Sequence, residues 1–200
     1  MSLEAAILGF LGERARTGYD LKTRCFDDAA RDFWTADQAQ IYRTLERLQT
    51  AKLVRSSRKR QVGKPDRKIY AVTPAGQTAL ETWLSSEQPL QPPRDSFLMQ
   101  LYFASAQSDA ALLVVIGARR AAHQSRLNDL RLRAAGSARD PETSLRTAAL
   151  RDSAFDGAIA VERALIDWLD DCLEAIGAGA LPHEEDAGKS QRTLFGTTPA

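Results

Sequence analysis

Eight Lys or Arg and a single acid, Asp66, fall between Lys52 and Lys68. Cations at that density repel one another across a short turn unless something anionic lies against them, and a nucleic-acid backbone answers that need. Just before this strip, Gln40, Arg43, Thr44 and Arg47 fall on one side of a helical wheel, with Tyr42 at the edge. Long hydrogen-bonding side chains on one helix face are what a major groove requires. The expected chemistry is therefore recognition of double-stranded DNA. The helix face, with Thr35 at its start, would meet bases and phosphates, while Arg58, Lys59, Arg60, Lys64, Arg67 and Lys68 would neutralise the backbone. Plainer readings stand beside it. Arg43 and Arg47 could solvate an exposed face, Tyr42 could be a core-edge aromatic, and Lys64 a solvated turn lysine.

The elements that must hold these residues follow from periodicity. Leu3, Ile7, Phe10 and Leu11 predict a first helix from Ser2 to about Gly12. Thr17-Gly18 breaks the pattern, and a second helix over roughly 18–30 buries Leu21, Cys25 and Phe26. The third starts near Thr35, read as its cap, with Asp37 close to the positive helix end. Its apolar stripe is Ile41, Leu45 and Leu48, placing Gln40, Arg43, Thr44 and Arg47 opposite. Leu53–Ser57 and Lys68–Val72 are β-compatible, and Val62-Gly63-Lys64-Pro65-Asp66 supplies the turn between them. Thr73-Pro74 reads as a cap followed by proline at the first helical position, opening a helix with Leu80, Trp83 and Leu84. A helix followed by a basic two-stranded turn has the form of a recognition helix and its wing.

Prolines interrupt 85–94, and the rest is helical. A short aromatic-rich helix covers 95–104. Then 108–135 carries a seam at 113, 116, 120, 123, 127, 130 and 134, which Arg120 and His123 interrupt. The stretch 144–176 repeats the seam through Ile159, Ile166, Leu169, Leu173 and Ile176, with Glu162 as its polar member. Two long helices with such seams form a thin structure that needs a second chain to cover it. The chain thus reads as mainly α with a small β-hairpin wing: a winged helix-turn-helix DNA-binding domain over 1–88, a linker over 89–94, a helical dimerisation domain over 95–177, and a disordered tail over 178–200.

Composition limits the alternatives. Net charge is +1, but residues 1–88 hold fifteen Lys or Arg against eleven acids and the remainder twelve against fifteen. A basic half joined to an acidic half suggests two modules with different work. There is no apolar run long enough to cross a membrane and no secretion signal, so a cytoplasmic protein is expected. Cys25 and Cys172 fall on apolar helical positions, as buried thiols do. No cofactor or metal site is expected: His123 lies on a helix seam, and His183 has no ligand cluster around it. Phosphate loops, nucleophile elbows and metal-ligand spacings are absent, and Asp170-Asp171 and Glu184-Glu185 diverge on a helix, so no enzyme is expected.

With these residues in view, the chain resembles the PadR family of bacterial transcription regulators. The resemblance is carried by Leu3-Glu4-Ala5-Ala6-Ile7-Leu8-Gly9, by Gly18-Tyr19-Asp20-Leu21, and by Gln40-Ile41-Tyr42-Arg43-Thr44-Leu45-Glu46-Arg47-Leu48. The run from Gly63 to Gly76 continues it, and Arg94-Asp95-Ser96-Phe97-Leu98 with Leu101-Tyr102-Phe103 extends it into the helical half of longer members. Two departures matter. Gln40 stands where a small residue usually precedes Ile-Tyr, and Lys52 stands where Gly usually takes a left-handed turn, a strain of about 1 kcal/mol.

The resemblance implies a homodimer whose wings straddle a roughly palindromic operator. It further implies a regulator, usually a repressor, released by a small aromatic or hydrophobic effector. Phe97, Tyr102, Phe103 and Trp168 could line an effector pocket between protomers, or else be plain core at helical spacing. The competing class is a winged-helix scaffold that docks protein partners without specific DNA binding.

Overall fold

A computed structural model describes residues 2–59, 67–90, 94–137 and 144–180. Arg60, Lys64 and the rest of the wing tip lie outside the described residues, as do 91–93 of the expected linker and the expected tail from residue 181. The chain divides into two compact units, 1–92 and 93–200.

The first unit runs α1 (Ser2–Glu13), β1 (Arg16–Thr17), α2 (Gly18–Asp20) continuing as a π-helix (Leu21–Ala29), α3 (Gln38–Thr50), β2 (Val54–Lys59), β3 (Arg67–Val72) and α4 (Pro74–Leu84). Its core gathers Ile7, Leu8 and Leu11 of α1, Leu21, Cys25 and Phe26, and Ile41, Leu45 and Leu48 of α3, with Val54, Tyr70 and Leu80 beneath the sheet. The expected second helix is there, but it winds wide: Ala30 donates to the carbonyl of Cys25, five residues back, at 2.7 Å. That wider turn sets Leu21, Cys25 and Phe26 on one buried face. Burial pushes the Cys25 thiol up to about 11, so it is a packing group and not a nucleophile.

The start of α3 is two residues later than the sequence suggests. Asp37, not Thr35, is the cap: its carboxylate accepts from Gln40 N at 2.7 Å, and Gln40 Oε1 accepts from Asp37 N at 3.0 Å. This reciprocal pair satisfies two end donors, which a lone Thr35 hydroxyl does not. The helix closes with Lys52 at φ 57°, while Lys52 N donates to Gln49 O at 3.0 Å and Leu53 N to Leu48 O at 2.9 Å. Leu53 is thereby spent on helix closure, which is why β2 opens at Val54 and not at Leu53.

The sheet has the order β1-β3-β2, antiparallel throughout. The two-residue β1 pairs Arg16 with Tyr70 and Thr17 with Ile69, an edge too short for periodicity to announce. Arg16 is buried there, its Nε donating to Phe10 O at 3.1 Å and Nη2 reaching Glu13 at 2.8 Å. Thr73 caps α4 as expected, and its hydroxyl also reaches the carbonyls of Lys52 and Leu53 at 2.8 and 3.0 Å. Gly76 is required at this junction, since a Cβ there would stand 2.0 Å from Leu53 O.

The second unit comprises α5 (Ser96–Tyr102), a short 3-10 turn (Ala104–Ala106), α6 (Asp109–Ser137) and α7 (Leu145–Gly177). Ile116, Leu127 and Leu130 of α6 and Ile166, Leu169 and Ile176 of α7 are buried on the expected seams, and Phe155, not among the expected positions, is buried as well. The interrupting residues find partners, pairing the helices antiparallel. Arg120 forks onto Asp170 at 2.8 and 3.0 Å, and His123 Nδ1 lies 2.6 Å from Glu162, which Arg126 also meets at 2.9 Å. The fork holds the exposed Asp170 carboxyl below its ordinary range. α7 ends at Gly177, where the sequence leads one to expect it, with Ala178 as its cap and Gly179 left-handed at φ 65° just past it.

Candidate nucleic-acid interface

The exposed side of α3 is built by its own amphipathicity. With Ile41, Leu45 and Leu48 pinned in the core, Gln40, Tyr42, Arg43, Glu46 and Arg47 are left facing out. Thr44 does not join them. Expected on the open face, it is only 2% exposed, because the buried stripe of α3 is four residues wide and includes position 44. Its hydroxyl instead accepts from Arg47 Nη2 at 3.3 Å, so it reaches a ligand only through that arginine. Gln40, though exposed, has its side-chain oxygen committed to the cap and keeps its amide N–H groups to donate. Arg47 also pairs with Glu4 of α1 at 3.4 Å. Leu3, Arg43 and Arg47 border a shallow concavity along this face.

A second concavity includes Tyr42. Thr17, Tyr19, Asp20, Arg24, Tyr42, Arg67 and Lys68 line it, from the start of α2, from α3 and from the root of the wing. Tyr42 is held by steric fit: a Cβ on Gly18 would stand 2.7 Å from its ring. Lys68 lies with its ammonium 5.0 Å from the Tyr70 ring centre, a cation–π contact that orients the side chain without neutralising it. The acid here is engaged internally. Thr17 Oγ1 donates to Asp20 at 2.7 Å, and this bond holds the carboxyl below its ordinary value. Tyr19 and Arg24 carry no periodic signal toward this site, because only tertiary packing brings them beside the wing.

The wing stacks like charges in register. Arg58 stands across from Lys68, and the backbone sets Lys59 across from Arg67. Like charges directly opposite destabilise a ladder, so this arrangement makes sense with an anion against it. Thr35 lies exposed ahead of the Asp37 cap, beside Lys22 and Gln40.

The aromatic candidates of the second unit divide. Phe97 and Phe103 line a cavity of about 540 Å³ with Met99, Leu101, Leu112 and Val115. Trp168 packs edge-on against Phe97 at 6.3 Å instead, and Tyr102 edge-on against Phe103 at 5.1 Å, 80% exposed. The polar groups of the lining, Ser96, Gln100 and Gln107, are all neutral. Among the described residues no cluster of three metal-ligating side chains occurs, and no helix is long and apolar enough to cross a membrane.

Comparison with known proteins places these features. Residues 7–82 match the transcriptional regulator PadR-like family, and residues 93–177 match the virulence activator alpha C-terminal family. The chain is 36% identical to a probable transcriptional regulator of Mycobacterium tuberculosis over 88% of this chain and 98% of that one. It is 31% identical to the negative transcriptional regulator PadR of Bacillus subtilis over 64% of this chain and 70% of that one. Two solved structures of the B. subtilis protein are similar in fold, each covering 88% of this chain and 99% of the other. One, in complex with operator DNA, has 25% identity and a TM-score of 0.76; the other, in complex with p-coumaric acid, has 26% and 0.73.

Proposed function

Because the chain belongs to the PadR-like family of transcriptional regulators, we propose that it is a sequence-specific DNA-binding repressor acting as a homodimer on a pseudo-palindromic operator. The observation that carries this reading is the wing register, Arg58 across from Lys68 and Lys59 across from Arg67, beside the outward face of α3. On this reading α3 enters the major groove, Arg43, Arg47 and the amide of Gln40 meet base edges, and Tyr42 with Tyr19 and Arg24 meets phosphate. Arg58, Lys59, Arg67 and Lys68 neutralise the flanking backbone, joined by Arg60 and Lys64 of the tip. Thr35, just ahead of the cap, takes a phosphate at the groove edge.

The first unit is the DNA-binding domain and the second the dimerisation domain, joined by a linker over 89–94. Dimerisation is supported by apolar side chains exposed on a single chain, among them Val114, Leu132 and Val161 of α6 and α7. The B. subtilis relative was solved with p-coumaric acid, which supports a small-molecule effector here too. The Phe97–Phe103 cavity is the place for it, and its neutral lining suits an uncharged aromatic or hydrophobic ligand. The protein works in the cytoplasm, where its DNA is, and needs neither cofactor nor catalysis.

The test is an electrophoretic titration of operator and random duplexes at two ionic strengths. Arg47→Ala should cost about 1–3 kcal/mol on operator and relax discrimination, whereas Lys68→Ala should weaken both duplexes alike and lower the salt slope by about one. Equal losses on both duplexes for Arg47→Ala would refute the division between reading and grip.

A further inference from the structure

We infer that Glu4 of α1 is a selectivity residue: it holds Arg47 in its reading orientation and weakens binding to DNA of the wrong sequence. The inference rests on the reading of α3 as the groove-facing helix. Its observation is the Glu4–Arg47–Thr44 cluster, in which Arg47 Nη2 meets Glu4 Oε1 at 3.4 Å and Thr44 Oγ1 at 3.3 Å.

Both anchors sit on helices packed into the core. Thr44 is buried on α3, and Glu4 sits in the first turn of a helix whose Ala5, Ile7 and Leu8 are core. The two contacts converge on one nitrogen of a guanidinium that carries five donors, biasing its orientation while leaving the others for a base edge. Stability is a poor reason for the pair, because the Arg47 side chain remains 67% exposed and an exposed pair contributes little. Its cost is plain: a carboxylate on a face that meets phosphates repels them. Glu46 already puts one acid on this concavity, and Arg43 and Arg47 are the cations that face it. A second acid within reach of the reading arginine is explained if it orients that arginine. A fixed fork also gains less from a phosphate on the wrong sequence than a roaming one does.

The prediction has opposite signs on two duplexes. Glu4→Gln retains an acceptor of the same size while removing the charge. Binding to a random 30-base-pair duplex should tighten by about three- to tenfold, with the salt slope rising by about one as Arg47 becomes free to meet phosphate. Preference for a duplex selected from genomic fragments, relative to the random one, should fall by about tenfold. Arg47→Lys, which keeps the charge but loses the fork, should lose the same preference. Glu4→Gln placed on Arg47→Lys should then change that preference no further.

Two results overturn the inference. One is an unchanged ratio in Glu4→Gln. The other is a loss of affinity for both duplexes with a lower melting temperature, which is what a merely structural Glu4 would give. Wild type showing no preference between the duplexes would instead overturn the reading of α3, so the two failures are separable.

Discussion

Lys52 is the one non-glycine residue with a positive φ among the described residues, at 57°, and its position shows why the chain tolerates it. The turn it makes satisfies two carbonyls at the end of α3 and delivers the chain into β2, so its geometry is demanded by the junction. Lys52→Gly should stabilise the protein by about 1 kcal/mol in denaturant unfolding, and Lys52→Ala should not. Equal effects of both variants would show that the strain lies elsewhere. This strain was legible in the sequence, since a family glycine is replaced there. Thr44 was legible only as a boundary position: the wheel sets it between Leu48 and Arg47, and it is buried with the apolar stripe. The capping box has a sequence signature, Asp37 followed three residues later by Gln40, which the choice of Thr35 as the cap passes over; it assigns the residue that departs from the family a structural task.

At the scale of elements, α1, α3, the wing and the two long helices follow from periodicity and turn chemistry, because each is long enough for its pattern to repeat. The misses are short or tertiary. The two residues of β1 exist only by pairing with β3, and the π-winding after Asp20 answers to three side chains sharing one buried face. On α6 and α7, the seam breaks at Arg120 and His123 marked polar partners that only the pairing of two helices could identify. Glu162, 5% exposed, lies inside that seam and is held by His123 and Arg126. His123→Leu should therefore cost about 2 kcal/mol by stripping a partner from a buried carboxylate. The double change His123→Leu with Glu162→Leu should recover most of that loss, since two leucines extend the apolar seam. Scanning calorimetry of the full chain measures both, and simple additivity of the two single losses would argue against the coupling.

For the whole molecule, the proposed function divides the work between the two units: the basic winged helix would meet DNA, and the helical unit, with its exposed apolar side chains, would take a second chain. Sedimentation should find a dimer, and Leu132→Asp combined with Val161→Asp should give monomers with much weaker operator binding but an intact first unit. Dimers surviving that change would move the interface to other residues. The central claim, that the face of α3 and its cationic wing read duplex DNA, is tested most directly by anisotropy titration of wild-type protein. An operator duplex selected from genomic fragments and a scrambled duplex of equal length are compared between about 50 and 200 mM salt. The operator should bind about a thousandfold or more tighter, and both affinities should fall steeply with salt. Equal affinity for the two duplexes, or affinity indifferent to salt, would contradict the account.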